Sequence, residues 1–344
     1  MTRAKILLLC LALFGGLFFS FLQTQKTLSP QEKMETIINH YRQDYQQAAK
    51  LMDEITYELG VEKAIELLQQ TGLPPGGFSH FLAHEIGETA YQIHKQKALP
   101  YCFKDTLNGC THGLITGAIA DIGFEGVREM IEYCRTLSDF QLQMCVHGAG
   151  HAFMTLSSYQ LEPALKNCDR LSLELTPQAK ILSWCSSGLF MENVHGDHND
   201  IIPPQHPSLS QTNLMAPCDT VEDRFKPSCY KSQAGWWYQL WGSNITKVAA
   251  YCDQVPKAYQ KYCADNVARL VNSDYDGDVN HIIQNCQLLT PPNNYECLLA
   301  EAKSLLVVGE LQKPHLLCEL ITNDAYQASC FSEIEADLKT HEPN

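Results

Sequence analysis

No two cysteines of this chain stand closer than Cys102 and Cys110, so it contains no C-x-x-C. That absence excludes a thioredoxin-type redox pair, a zinc ribbon and a c-type haem attachment site. A nucleophile elbow, a phosphate loop and a dinucleotide fingerprint are missing as well, which leaves nucleotide-dependent chemistry without its usual residues. Positive charge is scarce: 25 Lys and Arg stand against 39 Asp and Glu, for a net charge of −14. A general affinity for nucleic acid or anionic lipid is therefore excluded, and no basic stripe offsets it. No segment alternates polar and apolar residues as a strand would, so the fold class expected is all-α.

Long apolar runs are almost absent too, with one exception at the start. Arg3 and Lys5 precede 17 residues without charge, Ile6 to Leu22. This is the layout of a secretory signal or an uncleaved transmembrane signal-anchor, placed at residues 1–25. The stretch before Thr24 has no small-x-small cleavage site, which favours a membrane anchor. The basic residues would stay in the cytoplasm, and the rest would be exported to the periplasmic or extracellular side, or secreted if the segment is cleaved.

What the sequence has in quantity is cysteine. Setting Cys10 aside leaves fourteen, an even number in a chain bound for an oxidising compartment, which reads as disulfides. Their spacing has a period: Cys134 to Cys168, Cys218 to Cys252 and Cys252 to Cys286 are 34 residues each, as are Cys229 to Cys263 and Cys263 to Cys297. Periods of this size mark helical-hairpin solenoids. "CRTLSDFQLQMC" (134–145), "CDTVEDRFKPSC" (218–229), "CDQVPKAYQKYC" (252–263), "CQLLTPPNNYEC" (286–297) and "CELITNDAYQASC" (318–330) share one form, and 168–185 is the same unit with a longer middle. Two pairings are compatible with this pattern. One joins 102–110, 134–145, 168–185, 218–229, 252–263, 286–297 and 318–330. The other ties the mouth of each hairpin, as in 110–134, and leaves Cys102 and Cys330 over; parity favours the first. The expected architecture is a disulfide-stapled helical-hairpin repeat, a solenoid or α/α superhelix.

Residues 29–77 are read as N-terminal helices, 78–217 as His-rich repeats with an insertion at 192–217, and 218–344 as Cys-paired repeats. "SPQE" (29–32) opens a helix, with Ser29 as cap and Glu32 reaching back. An amphipathic helix should run from there to about Glu58, with further helices over Val61–Gln70 and Phe78–Lys97.

The candidate chemistry lies in "CVHGAGH" (145–151). His147 and His151 are four apart, one turn along a helix face. The preceding unit, "CTHG" (110–113), puts His112 at the position of His147. "AHEIGETAY" (83–91) aligns without a cysteine, matching His84 to His147 and Glu88 to His151. In later units "CYKSQ", "CADNV" and "CLLAE" carry no histidine there. A packing consensus would persist along the array, whereas a site is local. His84, Glu88, His112, His147 and His151 are therefore the expected ligands of a divalent transition metal, zinc, iron, manganese or copper. Glu85 is the general base of an enzymatic version, a metal-dependent hydrolase or oxidase, set against a plain solvated carboxylate. Glu192, one turn beyond Gly188, is an extra ligand. The insertion with His195, Asp197, His198, Asp200 and His206 is read as a polar loop, with a lid as the other reading.

Weaker signals take structural readings. "GWWYQLW" (235–241) is core packing, "DYDGD" (274–278) a turn, and "NIT" (244–246) a glycosylation acceptor only in a eukaryotic secretory pathway. The competing function is a scaffold whose concave face binds a protein or peptide partner without catalysis. A scaffold would use the full array, whereas the His-Gly positions stop after the third unit.

Overall fold

The computed structural model describes residues 28–40, 44–73, 78–105, 109–195, 208–272, 278–307 and 310–341. Among them are helices and turns and no strand. The apolar segment at 1–25 and the insertion residues Asp197, His198, Asp200 and His206 lie outside the described residues. Among the described residues, no helix is long and apolar enough to cross a membrane.

Helix α1 (Pro30–His40) begins with the capping box read in the sequence. The Ser29 N–H donates to Glu32 Oε2 at 2.8 Å, and the Glu32 N–H donates to Ser29 Oγ at 3.3 Å. The expected single helix to Glu58 is two helices instead. Asp44 starts α2 (Tyr45–Leu59) afresh by accepting the Gln47 N–H at 3.0 Å. An aspartate can offer its carboxylate to orphan amides at a helix start, and here that local bond outweighs continuity of the apolar stripe. Buried Lys33 ties the two helices together through Glu54 at 3.0 Å and Glu58 at 2.6 Å. Gly60, at φ +81°, turns the chain into α3 (Val61–Gln69).

Helix α4 (Phe78–His94) stops three residues short of the expected Lys97. A 3₁₀ turn over Lys95–Ala98 follows, with Lys95 at φ 54°, and then the short α5 (Leu99–Cys102). Beyond it run α6 (Gly109–Ile122), α7 (Phe124–Cys134), α8 (Asp139–Leu156), α9 (Leu161–Glu174) and α10 (Gln178–His195). They are followed by α11 (Lys226–Leu240), α12 (Ile245–Cys252), α13 (Gln260–Asn272), α14 (Val279–Cys286), α15 (Asn293–Val307), α16 (Lys313–Glu319) and α17 (Asp324–His341). Helices α4, α6, α8, α10, α11, α13, α15 and α17 form one row in which each packs on the next. The connecting helices α7, α9, α12, α14 and α16 each pack on both row helices that they join.

Seven disulfides link Cys102–Cys110, Cys134–Cys145, Cys168–Cys185, Cys218–Cys229, Cys252–Cys263, Cys286–Cys297 and Cys318–Cys330. This is the pairing that parity favoured. Every bridge joins a connecting helix, or the loop standing in for one, to the N-terminal half of the next row helix, and all fourteen cysteines are buried. Loops of 8 to 17 residues close in this way. By loop entropy, each contributes roughly 2.5–3 kcal/mol. Such bridges persist in an oxidising, extracytoplasmic environment.

The minor motifs take structural roles. Trp237 is fully buried and its indole N–H donates to the Leu214 carbonyl at 2.7 Å, so the aromatic run is core. Asn244 caps α12 by accepting the Lys247 N–H at 3.1 Å. Asp278 caps α14 by accepting the Asn280 N–H at 2.8 Å. Residues 274–277 lie outside the described residues.

Candidate metal centre

Two crossings in the row are built alike. A Cβ added at Gly87 on α4 would overlap the Cys110 carbonyl, and one at Gly113 on α6 would overlap the His84 carbonyl. On the next pair, Gly150 stands against the Cys185 carbonyl and Gly188 against the His147 carbonyl. Glycine at both faces lets the backbones touch, closer than the usual 8–10 Å between helix axes. The α4–α6 and α8–α10 crossings thus make the same contact twice, and His84 corresponds to His147 in three dimensions. Between them, a Cβ added at Gly148 on α8 would stand 3.0 Å from the His112 ring, so glycine there leaves that imidazole room between α6 and α8.

Five imidazoles gather there. The ring centroid of His112 lies 5.3 Å from His80, 5.3 Å from His84, 5.2 Å from His147 and 5.0 Å from His151. His84 and His151 are 6.0 Å apart. On α4, His80 Nε2 is 3.1 Å from His84 Nε2; on α8, His147 Nε2 is 3.2 Å from His151 Nε2. His84, His112 and His151 are buried, and His80 and His147 are half-buried. One coordinating nitrogen from each of His80, His84 and His112 falls within a set spanning no more than 4.8 Å.

Behind the second pair stands a carboxylate. His151 Nδ1 is 2.8 Å from Glu192 Oε2, and the Tyr159 hydroxyl donates to Glu192 Oε1 at 2.8 Å. Both His151 and Glu192 are about 5% exposed, so little water competes for that contact. Tyr159 arrives from the end of α8, where Ser158 (φ 50°) and Tyr159 (φ 59°) both take the left-handed conformation. For residues other than glycine this costs about 1–2 kcal/mol each. Burial pushes the His147 imidazolium pKa well below its ordinary value, with further help from His151, His80 and Lys231. Its ring therefore stays neutral at neutral pH, the form that ligates metals.

Of the residues singled out in the sequence, His84, His112, His147 and His151 are brought together. Glu88 continues the His80–His84 row by one turn, where it lines an open cleft with Tyr91, Gln92, Lys95, Gly117 and Asp121. Glu85 follows His84 directly, so it is rotated by about 100° from that row. His195 ends α10, and nothing of its side chain falls among the described residues. His80 and Tyr159 were missed. "HFLAH" (80–84) carries the same four-residue spacing as His147 and His151, and that signal was available for His80. Tyr159 offered none, because its role depends on how α8 ends. No protein-family model, curated protein or solved structure matches the chain, so the chemistry of this centre is argued from its own residues.

Proposed function

We propose that the chain is an extracytoplasmic metal-binding protein that holds a divalent transition ion among the histidines of α4 and α6. In this reading the stapled hairpins are a helical-repeat array, tethered through residues 1–25, that keeps the imidazoles in place. The observation that carries it is the His80–His84–His112 group, with one ligand nitrogen from each within 4.8 Å of the others. An ion with nitrogen ligands at about 2.0–2.1 Å holds neighbouring ligand atoms about 2.9 Å apart in octahedral and about 3.4 Å apart in tetrahedral coordination. The 3.1 Å between His80 and His84 falls between those edges, and the His112 nitrogen lies within 4.8 Å of both. An all-imidazole donor set suits zinc, copper, iron or manganese over calcium or magnesium.

Hydrolase or oxidase chemistry would be an extension of this reading. In its favour, His80 is only half-buried while His84 and His112 are buried, so an open coordination position would fall on the His80 side. Glu85, the base of that version, sits off the ligand row, so binding is the part carried forward here.

The test is metal content by mass spectrometry on the full chain, oxidised and purified without a histidine tag, beside the His84→Ala/His112→Ala variant. At least one equivalent of ion per chain is expected in the parent, with one equivalent fewer in the variant at unchanged helix content. No metal in the parent after offering zinc, iron, manganese and copper would overturn the reading and leave the array as a scaffold for a protein or peptide.

A further inference from the structure

We propose that the histidine cluster holds two transition-metal ions, the second one chelated by His147 and His151 with Glu192 and Tyr159 behind them. This deepens the metal-binding reading and rests on it. The second position follows from the duplicated crossing. His147 and His151 on α8 present their Nε2 atoms 3.2 Å apart, the same chelating edge that His80 and His84 present at 3.1 Å on α4. The two pairs are one turn out of register, since His84 corresponds to His147 through its contact with the facing glycine. His112 is the shared wall, with its ring about equally distant from all four.

The carboxylate supports the second position specifically. A glutamate beside Nδ1 accepts a hydrogen bond from the proton held there, which leaves the lone pair on Nε2, the nitrogen that faces His147. Metal-ligating histidines are commonly fixed this way, and the tyrosine hydroxyl fixes the glutamate in turn. Glu192 is thus a positioning residue and not the direct ligand that its place in the sequence indicated. On α10, Ser187 stands where α6 has His112, so the second ion has two protein imidazoles and open positions for water. It binds more weakly than the first and fills after it.

The experiment is a titration of the full oxidised chain with Zn²⁺, and with Co²⁺ for its visible spectrum, read as bound metal per chain. The parent is compared with His80→Ala/His84→Ala, His147→Ala/His151→Ala and the conservative E192Q, all at matched far-ultraviolet circular dichroism. Two ions are expected in the parent and one in each double variant, with a different cobalt spectrum for each remaining ion. E192Q should keep the first affinity and weaken the second about 10–100-fold. One ion in the parent that survives His147→Ala/His151→Ala would overturn the second position and leave the first standing. An E192Q protein with both affinities unchanged would also overturn it. No ion in any of the proteins would instead remove the metal-binding reading itself.

Discussion

The histidine-bearing half of the row, α4 to α10, and the half from α11 to α17 share their staples and their helix order, and differ at two positions after each cysteine. Two residues past the cysteine stand His112, His147 and Ser187 in the first half, but Lys231, Asp265, Leu299 and Ser332 in the second. Lys231 and Asp265 sit on neighbouring row helices and form an ion pair. Three residues past the cysteine come Gly113, Gly148 and Gly188, and then Ser232, Asn266 and Ala300. Gly188 meets the His147 carbonyl directly, whereas Asn266 reaches the Lys231 carbonyl by a 2.8 Å hydrogen bond from its side-chain amide. One contact is therefore made in two ways. With glycine the helices touch and their side chains converge. With asparagine a side-chain amide makes the contact, and the same column carries an ordinary charge pair. Staple and site are separate devices, and the site is confined to the helices whose crossings are glycine.

The largest effect should come from breaking what the halves share. Together, seven bridges at roughly 2.5–3 kcal/mol each exceed the ~5–15 kcal/mol net stability of an ordinary protein. The reduced chain should lose its cooperative thermal transition, which circular dichroism with and without reductant will show. Survival of a sharp transition after full reduction would mean that the helical row stands without its staples.

The next effect separates the halves. Gly113→Ala places a methyl on the His84 carbonyl and should cost about 1–3 kcal/mol, with loss of bound metal as the crossing opens. Asn266→Ala removes one hydrogen bond and should cost about 1 kcal/mol, leaving metal content unchanged. Chemical denaturation and metal analysis on both variants check this, and equal metal loss from the two would erase the distinction drawn between the crossings.

Much of this was legible in the sequence. The 34-residue cysteine period left two disulfide pairings open, and parity favoured the one that forms because the other leaves Cys102 and Cys330 over. His84, His112 and His147 were found by their phase with that period. His80 escaped since it has no counterpart in the other units, and Asp44 was passed over because a continuous apolar stripe hid a cap. Glu192 was recognised as relevant but assigned to the metal itself. Its bond to Nδ1 of His151 depends on which ring nitrogen faces the helix crossing, a choice of side-chain torsion that spacing alone does not specify.

Two smaller effects sharpen the boundary. Lys231→Met breaks a partly exposed ion pair and should cost about 1 kcal/mol or less, with no change in the first ion's affinity. Glu85→Gln replaces a half-buried carboxylate off the ligand row by an amide of the same shape and should leave metal content unchanged. A large loss of metal from either would extend the site beyond the rows assigned to it.

The most direct test of the central claim is X-ray absorption at the zinc edge of the zinc-loaded, oxidised full chain. The account predicts a first shell of nitrogen and oxygen at about 2.0–2.1 Å with the outer-shell scattering of imidazole rings, reduced in His84→Ala/His112→Ala. A first shell without imidazole scattering, or one unchanged in that variant, would contradict it.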